Sequence, residues 1–165
     1  MKDKLTKSDI YEMEKEIEHR KLVVRKQALE DVKEARAHGD LSENFEYKAA
    51  KKFKNENESR IRYLERMIKT AVIIEDDTKE GQAGLNSVIK VYFIEDDEEE
   101  TYKLVTTIRG NSLKNLISID SPIGKALLGH SAGETVSVKV SDDYSFELKI
   151  LEVTQGEDDE KIRKF

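Results

Sequence analysis

Two acids, Asp40 and Glu43, stand three residues apart in a short polar stretch between two helix-forming segments. At a helix start this spacing puts both side chains on the same side of the chain. One interpretation is an Asp-x-x-Glu capping box whose charges favour the positive end of the helix dipole. The other is that the two carboxylates ligate Mg²⁺, which proteins commonly hold with one or two carboxylates plus water and phosphate. Two carboxylates are too few to hold Mg²⁺ tightly, so a partner would have to supply the remaining ligands.

Positive charge follows the two acids, and Lys48, Lys51 and Lys52 lie near one another on the predicted second helix. These lysines can form an ordinary solvated face with local ion pairs. Alternatively they form a stripe that guides the phosphates of a single strand, which would make binding sensitive to salt. Two aromatic residues, Phe45 and Tyr47, could stack on a base, but we favour a role in anchoring the turn against the opposite helix.

The elements that carry these residues follow from the spacing of apolar side chains. Steps of three, four and seven residues occur before the polar stretch, at Ile10, Met13, Ile17, Val24, Ala28 and Ala35, and after it, at Ala50, Phe53, Ile61, Leu64, Ile68 and Ala71. Such a seam on both sides of a short break predicts two helices packed antiparallel as a coiled coil. The first runs from Ser8 to Ala37, about 45 Å. Gly39 ends it, and Asp40 opens the second, which runs to Lys69 or Ala71.

After the hairpin the pattern changes to that of a β unit. We predict strands at Ser87–Ile94, Thr101–Arg109, Leu116–Ile119, Glu134–Val140 and Tyr144–Val153. The six acids of Glu95–Glu100 are interpreted as a solvated hairpin connection and not as a metal site. Ser121 as N-cap, Pro122 at the first helical position and Gly129 just past the end describe one short helix.

The fold class is therefore α+β, with four segments. Residues 1–75 form the antiparallel hairpin with its acidic tip, and 76–84 form a linker. Residues 85–154 form a small antiparallel sheet with one short helix, and 155–165 form a charged tail that we expect to be frayed.

Composition restricts the class of protein. Charged residues make up 39% of the 165 residues and the apolar set 37%, which suits an exposed hairpin plus a small core. The sequence has no long apolar run, no charged-then-apolar leader and no cysteine, so we expect no membrane span or disulfide and a cytoplasmic location. Residues 1–75 carry 18 Lys/Arg against 16 Asp/Glu, whereas 76–165 carry 11 against 19. This acidic second half argues against simple duplex-DNA binding.

Taken together, these residues resemble the bacterial Gre transcript-cleavage factors, and most closely the GreA branch of that family. The stretch 35–50, ARAHGDLSENFEYKAA, follows the tip motif of the family almost residue for residue. The order Glu58-x-Arg60-Ile61 follows in the second arm, Leu5-Thr6 fits the start, and the run from Ile117 to Gly129 fits the C-terminal domain.

The resemblance implies an N-terminal coiled coil and a C-terminal domain of the FKBP type. It also implies a factor, not itself an enzyme, that binds RNA polymerase and inserts the coiled coil through the secondary channel. There it would stimulate the polymerase's own cleavage of the nascent RNA 3′ end in backtracked complexes. Asp40 and Glu43 would help to hold the second catalytic Mg²⁺ jointly with the polymerase and to orient water. Lys48, Lys51 and Lys52 would face the RNA.

The same resemblance assigns polymerase docking to Asp120, Ser121 and Pro122. We expect a monomer, because one continuous hairpin needs no partner helix. An FKBP-type unit suggests prolyl isomerisation, which needs an apolar pocket lined by aromatic residues. The C-terminal unit argues against that activity, because it has no Trp and its aromatic residues are only Tyr92, Phe93, Tyr102, Tyr144 and Phe146. The sequence departs from the family pattern at Arg25-Lys26 and at Lys54-Asn55-Glu56-Asn57, where Asn57 takes an apolar seam position and is expected to set register at some cost in stability.

Two other functions compete with cleavage stimulation. The first is a secondary-channel binder that modulates or inhibits polymerase without promoting cleavage, and the intact pair of tip acids argues against it. The second is a helical-hairpin chaperone, which would need apolar tips where this sequence has polar ones.

Overall fold

The computed structural model of the chain describes residues 2–39 and 44–164. The chain divides into two compact units, one built mainly from Lys7–Val72 and the other from Ile73–Lys164 together with Lys4–Thr6. In the described residues no helix combines the length and the apolar character needed to cross a bilayer.

The first unit is a helical hairpin, as the apolar spacing predicts. Its helical segments are α1 (Lys7–His19), a π-helical turn (Arg20–Val24), α2 (Arg25–Ala37) and α3 (Phe45–Thr70). Hydrogen bonds join Arg60 to Glu16, Asn57 to Arg20 and Asn44 to Ala35. The residue numbers on one arm therefore decrease as those of their partners on the other arm increase. The arms are therefore antiparallel.

The predicted seam is largely confirmed. Among the hairpin residues that the structure describes, the buried apolar side chains are those of Met13, Ala28, Val32, Ala35, Ile61 and Leu64. The prediction that Phe53 lies in the seam is wrong, because its side chain is 48% exposed. Polar groups occupy part of the seam instead: Asn57 and Arg60 are both buried.

The second unit is built around a five-stranded sheet in the order β5-β4-β3-β7-β6. The strands of the chain are β1 (Lys4–Leu5), β2 (Val72–Ile73), β3 (Ser87–Phe93), β4 (Glu98–Val105), β5 (Leu116–Ser118), β6 (Thr135–Lys139) and β7 (Ser145–Gln155). β3 pairs antiparallel with β4 and β7, and β6 pairs antiparallel with β7. The predicted fully antiparallel sheet is wrong at one edge, because β5 runs parallel to β4.

Two sequence predictions in this unit also need correction. Residues Glu98–Glu100 belong to β4, so only the first part of the acidic run forms the connection. There Asp97 has a left-handed φ of 51° and its carboxylate accepts a hydrogen bond of 2.6 Å from the Tyr92 hydroxyl. At its other end β4 stops at Val105, and Thr107–Arg109 forms a 3₁₀ turn instead of continuing the strand.

The short helix α4 (Pro122–Leu127) has the boundaries that its sequence signals predict. The Ser121 hydroxyl accepts a hydrogen bond from the Gly124 N–H, and Pro122 takes the first turn, where its missing N–H costs nothing. Gly129 follows with φ of 83°, a conformation that favours glycine. Leu127 then enters the apolar core formed with Ile89, Leu104, Leu148 and Ile150.

Candidate functional site

The base of the hairpin turn is held by Asn44. Its side-chain oxygen accepts a hydrogen bond of 2.9 Å from the Tyr47 N–H, which makes it the N-cap of α3. Its side-chain nitrogen donates to the Ala35 carbonyl of α2 at 2.7 Å. One amide therefore caps one helix and ties it to the other, and this fixes where the two arms enter the turn.

The capping assignment made from sequence is wrong. Asp40 was predicted to open the second helix, but α3 begins at Phe45 with Asn44 as its cap. Asp40 and Glu43 lie outside the described residues. Because Asn44 already satisfies the capping requirement of α3, the Asp-x-x-Glu box is not needed to start that helix.

Two further contacts join the arms beside Asn44. The Arg36 guanidinium lies 5.5 Å from the centre of the Tyr47 ring, and a hydrogen bond from Arg36 lowers the pKa of the Tyr47 phenol. His38 Nδ1 is 2.9 Å from the Glu46 carboxylate, and this hydrogen bond raises the pKa of His38 above its ordinary value. Tyr47 thus anchors the turn as predicted.

Phe45 does not share that anchoring role. Its ring is 80% exposed, and the Lys48 ammonium lies 5.6 Å from its centre. The three lysines singled out in the sequence, Lys48, Lys51 and Lys52, are all exposed on α3. Lys52 lies 3.9 Å from Glu56, a surface pair of small energetic consequence, so these lysines remain accessible to an anionic ligand.

A polar network further along the seam holds the register of the hairpin. The Glu16 carboxylate accepts from Arg60 at 2.8 and 3.2 Å and from Arg20 Nε at 2.7 Å. Burial of the carboxyl opposes ionisation, but hydrogen bonds from Arg60 and Arg20 outweigh it and hold the pKa of Glu16 below its usual range. Asn57 accepts from Arg20 Nη1 and donates to the Arg20 carbonyl in the π-helical turn.

This network explains one departure from the family pattern noted in the sequence. The polar residue at the seam, Asn57, is buried and paired with the backbone of the opposite arm, so only one alignment of the arms satisfies it. At the other departure, Arg25-Lys26, the Arg25 guanidinium donates two hydrogen bonds of 2.7 and 2.9 Å to the Glu58 carboxylate. Both departures therefore lie at cross-arm contacts.

The second candidate site is the segment between β5 and α4 that holds Asp120, Ser121 and Pro122. The Ser121 hydroxyl both caps α4 and donates to the Ser118 carbonyl at 2.6 Å, so its hydrogen bonds are internal. The Asp120 carboxylate lies 3.2 Å from Lys4 Nζ. Pro122 is exposed, and of the three it is the side chain most open to a partner.

Glycine is required at one position in this segment. A Cβ on Gly124 would lie 2.0 Å from the Ser118 carbonyl oxygen, so any larger residue would push α4 away from β5. The exposed proline and the capping serine are thus displayed on a locally rigid support.

The donor set in the turn is chemically suited to Mg²⁺, which is a hard ion and prefers carboxylate and phosphate oxygens. Among the residues that the structure describes, no cluster of three His, Cys, Asp or Glu side chains could hold a metal ion. A metal-binding role stays a prediction for Asp40 and Glu43, which lie outside the described residues.

The chain matches two family profiles that together span most of its length. The profile described as "Transcription elongation factor, N-terminal" matches residues 4–73, and "Transcription elongation factor, GreA/GreB, C-term" matches residues 77–155.

Individual relatives agree with the profiles. The chain is 43% identical over 150 residues to "Transcription elongation factor GreA" of Thermoanaerobacter pseudethanolicus, covering 90% of this chain and 95% of that protein. It is 42% identical over 147 residues to the factor of the same name from Mesoplasma florum, covering 88% and 94%. Among solved structures, the GreA factor homolog 1 (Gfh1) of Thermus thermophilus is 28% identical and covers 93% of this chain and 99% of its own, with a TM-score of 0.44.

Proposed function

The chain belongs to the GreA/GreB family of transcription elongation factors, and from that membership we propose that it stimulates the intrinsic cleavage of the RNA 3′ end by RNA polymerase in backtracked, arrested complexes. It is a transcription elongation factor and not an enzyme in its own right. We propose that it acts as a monomer in the cytoplasm, where bacterial transcription takes place, and that it reaches the polymerase active site through the secondary channel.

The family match across both halves of the chain is the observation that carries this proposal. The tip motif of residues 35–50 is intact, and the helical hairpin supports the proposal by giving the turn a defined base. Because Asn44 caps α3, the acids of the turn can serve a ligand without loss of the helix.

In the proposed mechanism, Asp40 and Glu43 would hold the second Mg²⁺ jointly with the polymerase and would orient the attacking water. In such a two-metal hydrolysis one ion would activate water and the other would stabilise the leaving oxygen. The exposed ammonium groups of Lys48, Lys51 and Lys52 attract the phosphates of the RNA 3′ segment. Docking through Asp120, Ser121 and Pro122 keeps the factor bound independently of the tip.

The test is RNA cleavage in stalled, backtracked complexes, with the parent protein and with Asp40→Asn and Glu43→Gln. We expect each variant to lower the stimulated cleavage rate about 100-fold, while both still bind polymerase in a direct binding assay. Glu34→Gln is the matched control, because Glu34 is an exposed acid of α2 that precedes the turn, and it should behave as the parent.

Variants that cleave as fast as the parent would overturn the role of the tip acids. A parent protein that binds polymerase but does not accelerate cleavage would instead identify a channel-binding modulator.

A further inference from the structure

The C-terminal tail, residues 156–164, lies beyond the segment that matches the GreA/GreB profile, which ends at residue 155. Its charges are divided along its length. The acids of 157–160 come first, and the cations Lys161, Arg163 and Lys164 follow. The sequence predicted a frayed tail, whereas the structure gives both halves defined neighbours.

The acidic half is held by Lys103 of β4. Its ammonium donates to the Glu157 carbonyl at 2.7 Å, to the Asp159 carboxylate at 3.1 Å and to the Glu160 carboxylate at 3.3 Å. The Lys103 side chain is only 13% exposed. Most of the surface that this lysine would otherwise show is therefore covered.

A second cation, Arg109, holds the same part of the tail. Its guanidinium donates to the Glu160 carbonyl and lies 3.5 Å from the Asp158 carboxylate, with only 6% of the side chain exposed. Beyond this clamp, the Arg163 N–H donates to the Ile108 carbonyl at 2.8 Å. At the start of the tail, a Cβ on Gly156 would lie 2.5 Å from the Asn86 carbonyl oxygen, so the chain enters by a close backbone approach.

The basic half of the tail then reaches a groove of about 690 Å³ next to the proposed docking segment. Arg163 and Lys164 line this groove together with Ser121, Ile117 and Leu113, and the Leu113 side chain is 96% exposed. Residues 76–165 carry 11 Lys/Arg against 19 Asp/Glu. Two cations beside an apolar surface are thus a local exception in an acidic half of the chain.

We propose that the tail is part of the polymerase-docking surface, with Lys103 and Arg109 clamping its acidic half so that Arg163 and Lys164 flank the groove beside Ser121. The fitting partner is a segment of the polymerase that carries an apolar side chain next to carboxylates. The apolar side chain packs on Leu113 and Ile117, and the carboxylates pair with the two cations. This inference rests on the proposed function, since it names a further contact for the same partner.

Binding of fluorescently labelled protein to RNA polymerase tests the inference without reference to cleavage. The double variant Arg163→Gln/Lys164→Gln should raise Kd about fivefold, as expected for the loss of two exposed ion pairs. Lys161→Gln is the matched control, because Lys161 is an exposed cation of the same tail that does not line the groove, and its Kd should equal that of the parent.

A second variant separates the effect of the clamp on Kd from the effect of net charge. Asp158→Asn/Asp159→Asn/Glu160→Gln makes the chain less acidic, so uniform attraction to an acidic partner would lower Kd. The clamp predicts the opposite, a higher Kd, because the released tail no longer holds Arg163 and Lys164 at the groove.

Parent affinity in the double variant, or tighter binding in the triple variant, would overturn the inference and leave the proposed function standing. A parent protein that does not bind polymerase would overturn the proposed function and the inference together.

Discussion

In the helical hairpin, apolar side chains share the buried seam with a charged network, whereas the sheet unit has a continuous apolar core. Glu16, Arg20, Asn57 and Arg60 interrupt the seam with cross-arm hydrogen bonds. The buried core of the sheet unit consists of Ala83, Leu85, Ile89, Val91, Leu104, Ile119, Leu127, Val136, Val138, Leu148 and Ile150. The two units therefore depend on different interactions.

The difference follows from what each unit has to specify. An apolar seam of alanine and leucine tolerates sliding by a helical turn, whereas a buried polar network is satisfied in one register only. A one-turn slip would move the turn by about 5 Å relative to the other arm, which would misplace the tip acids. Polar groups in the hairpin thus secure position, whereas apolar burial in the sheet secures stability.

The largest expected effect is in the sheet core. Leu148→Ala removes a side chain with no exposed surface and should lower the free energy of unfolding of this unit by about 2–5 kcal/mol. Leu151→Ala, on the same strand but 36% exposed, should cost less than about 1 kcal/mol. Amide hydrogen exchange reports each unit separately, and protection in the hairpin should not change. Equal losses from the two variants would contradict a continuous core.

Glu16→Gln should be the most damaging polar change in the hairpin. It leaves the guanidinium of Arg60, whose side chain is 6% exposed, facing a neutral amide, at a cost of about 1–3 kcal/mol. Exchange in α1 and α3 measures this cost. Glu14→Gln, an exposed acid on the same helix, is the control and should leave exchange unchanged.

The same carboxylate gives the hairpin a pH dependence. Hydrogen bonds from Arg60 and Arg20 place the pKa of Glu16 below its unfolded value. The contribution of Glu16 to the stability of the hairpin is therefore complete above that unfolded value, about 4.3. The contribution is lost as pH falls through the folded-state pKa. Below about pH 4.3, the free energy of unfolding of the hairpin should therefore fall more with decreasing pH in the parent than in Glu16→Gln. Parallel curves for the two proteins would show that Glu16 is not ionised in this network.

Asn57→Ala should lower the free energy of unfolding of the hairpin by a smaller amount, about 1–2 kcal/mol. It removes one hydrogen bond from the Arg20 guanidinium and one to the Arg20 carbonyl. Asn55→Ala, two residues away and exposed, is the control and should stay within about 0.5 kcal/mol. A more stable Asn57→Ala hairpin would mean that the buried amide carries a net cost in this seam.

The smallest effect is expected for Glu58→Gln. The bidentate pair with Arg25 is well formed, but the Arg25 and Glu58 side chains are 37% and 28% exposed, so water and salt screen it. Any loss in hairpin protection should disappear in high salt. A salt-independent loss as large as that of Glu16→Gln would remove the distinction between buried and surface pairs.

Periodicity alone was enough to predict the hairpin and most strands, because burying one face imposes a repeat on the sequence. It failed at the start of α3, where Asn44 and not Asp40 is the N-cap. The second hydrogen bond of Asn44, to the Ala35 carbonyl on the other arm, is a contact that no local pattern reveals. The one local signal for the correct cap was an asparagine just before a helical segment.

Long-range contacts account for the other errors. The parallel pairing of β5 depends on where the chain returns after the 3₁₀ turn at Thr107–Arg109, which the spacing of apolar residues does not encode. The sequence of the tail is typical of a solvated charged segment, and only the structure shows that Lys103 and Arg109 donate hydrogen bonds to it. The cap signals of Ser121 and Pro122 were enough to predict α4. The docking role of that segment and the role of the tip acids come from the family resemblance and stay predictions.

The central claim is that the tip acids bring Mg²⁺ chemistry to a polymerase that already holds part of the ion's coordination shell. Single-turnover RNA cleavage in one backtracked complex, measured across a Mg²⁺ titration at saturating protein, tests it most directly. We predict that Glu43→Gln needs more Mg²⁺ than the parent for its half-maximal rate and reaches a lower maximum. Superimposable titrations for parent and variant would contradict the claim.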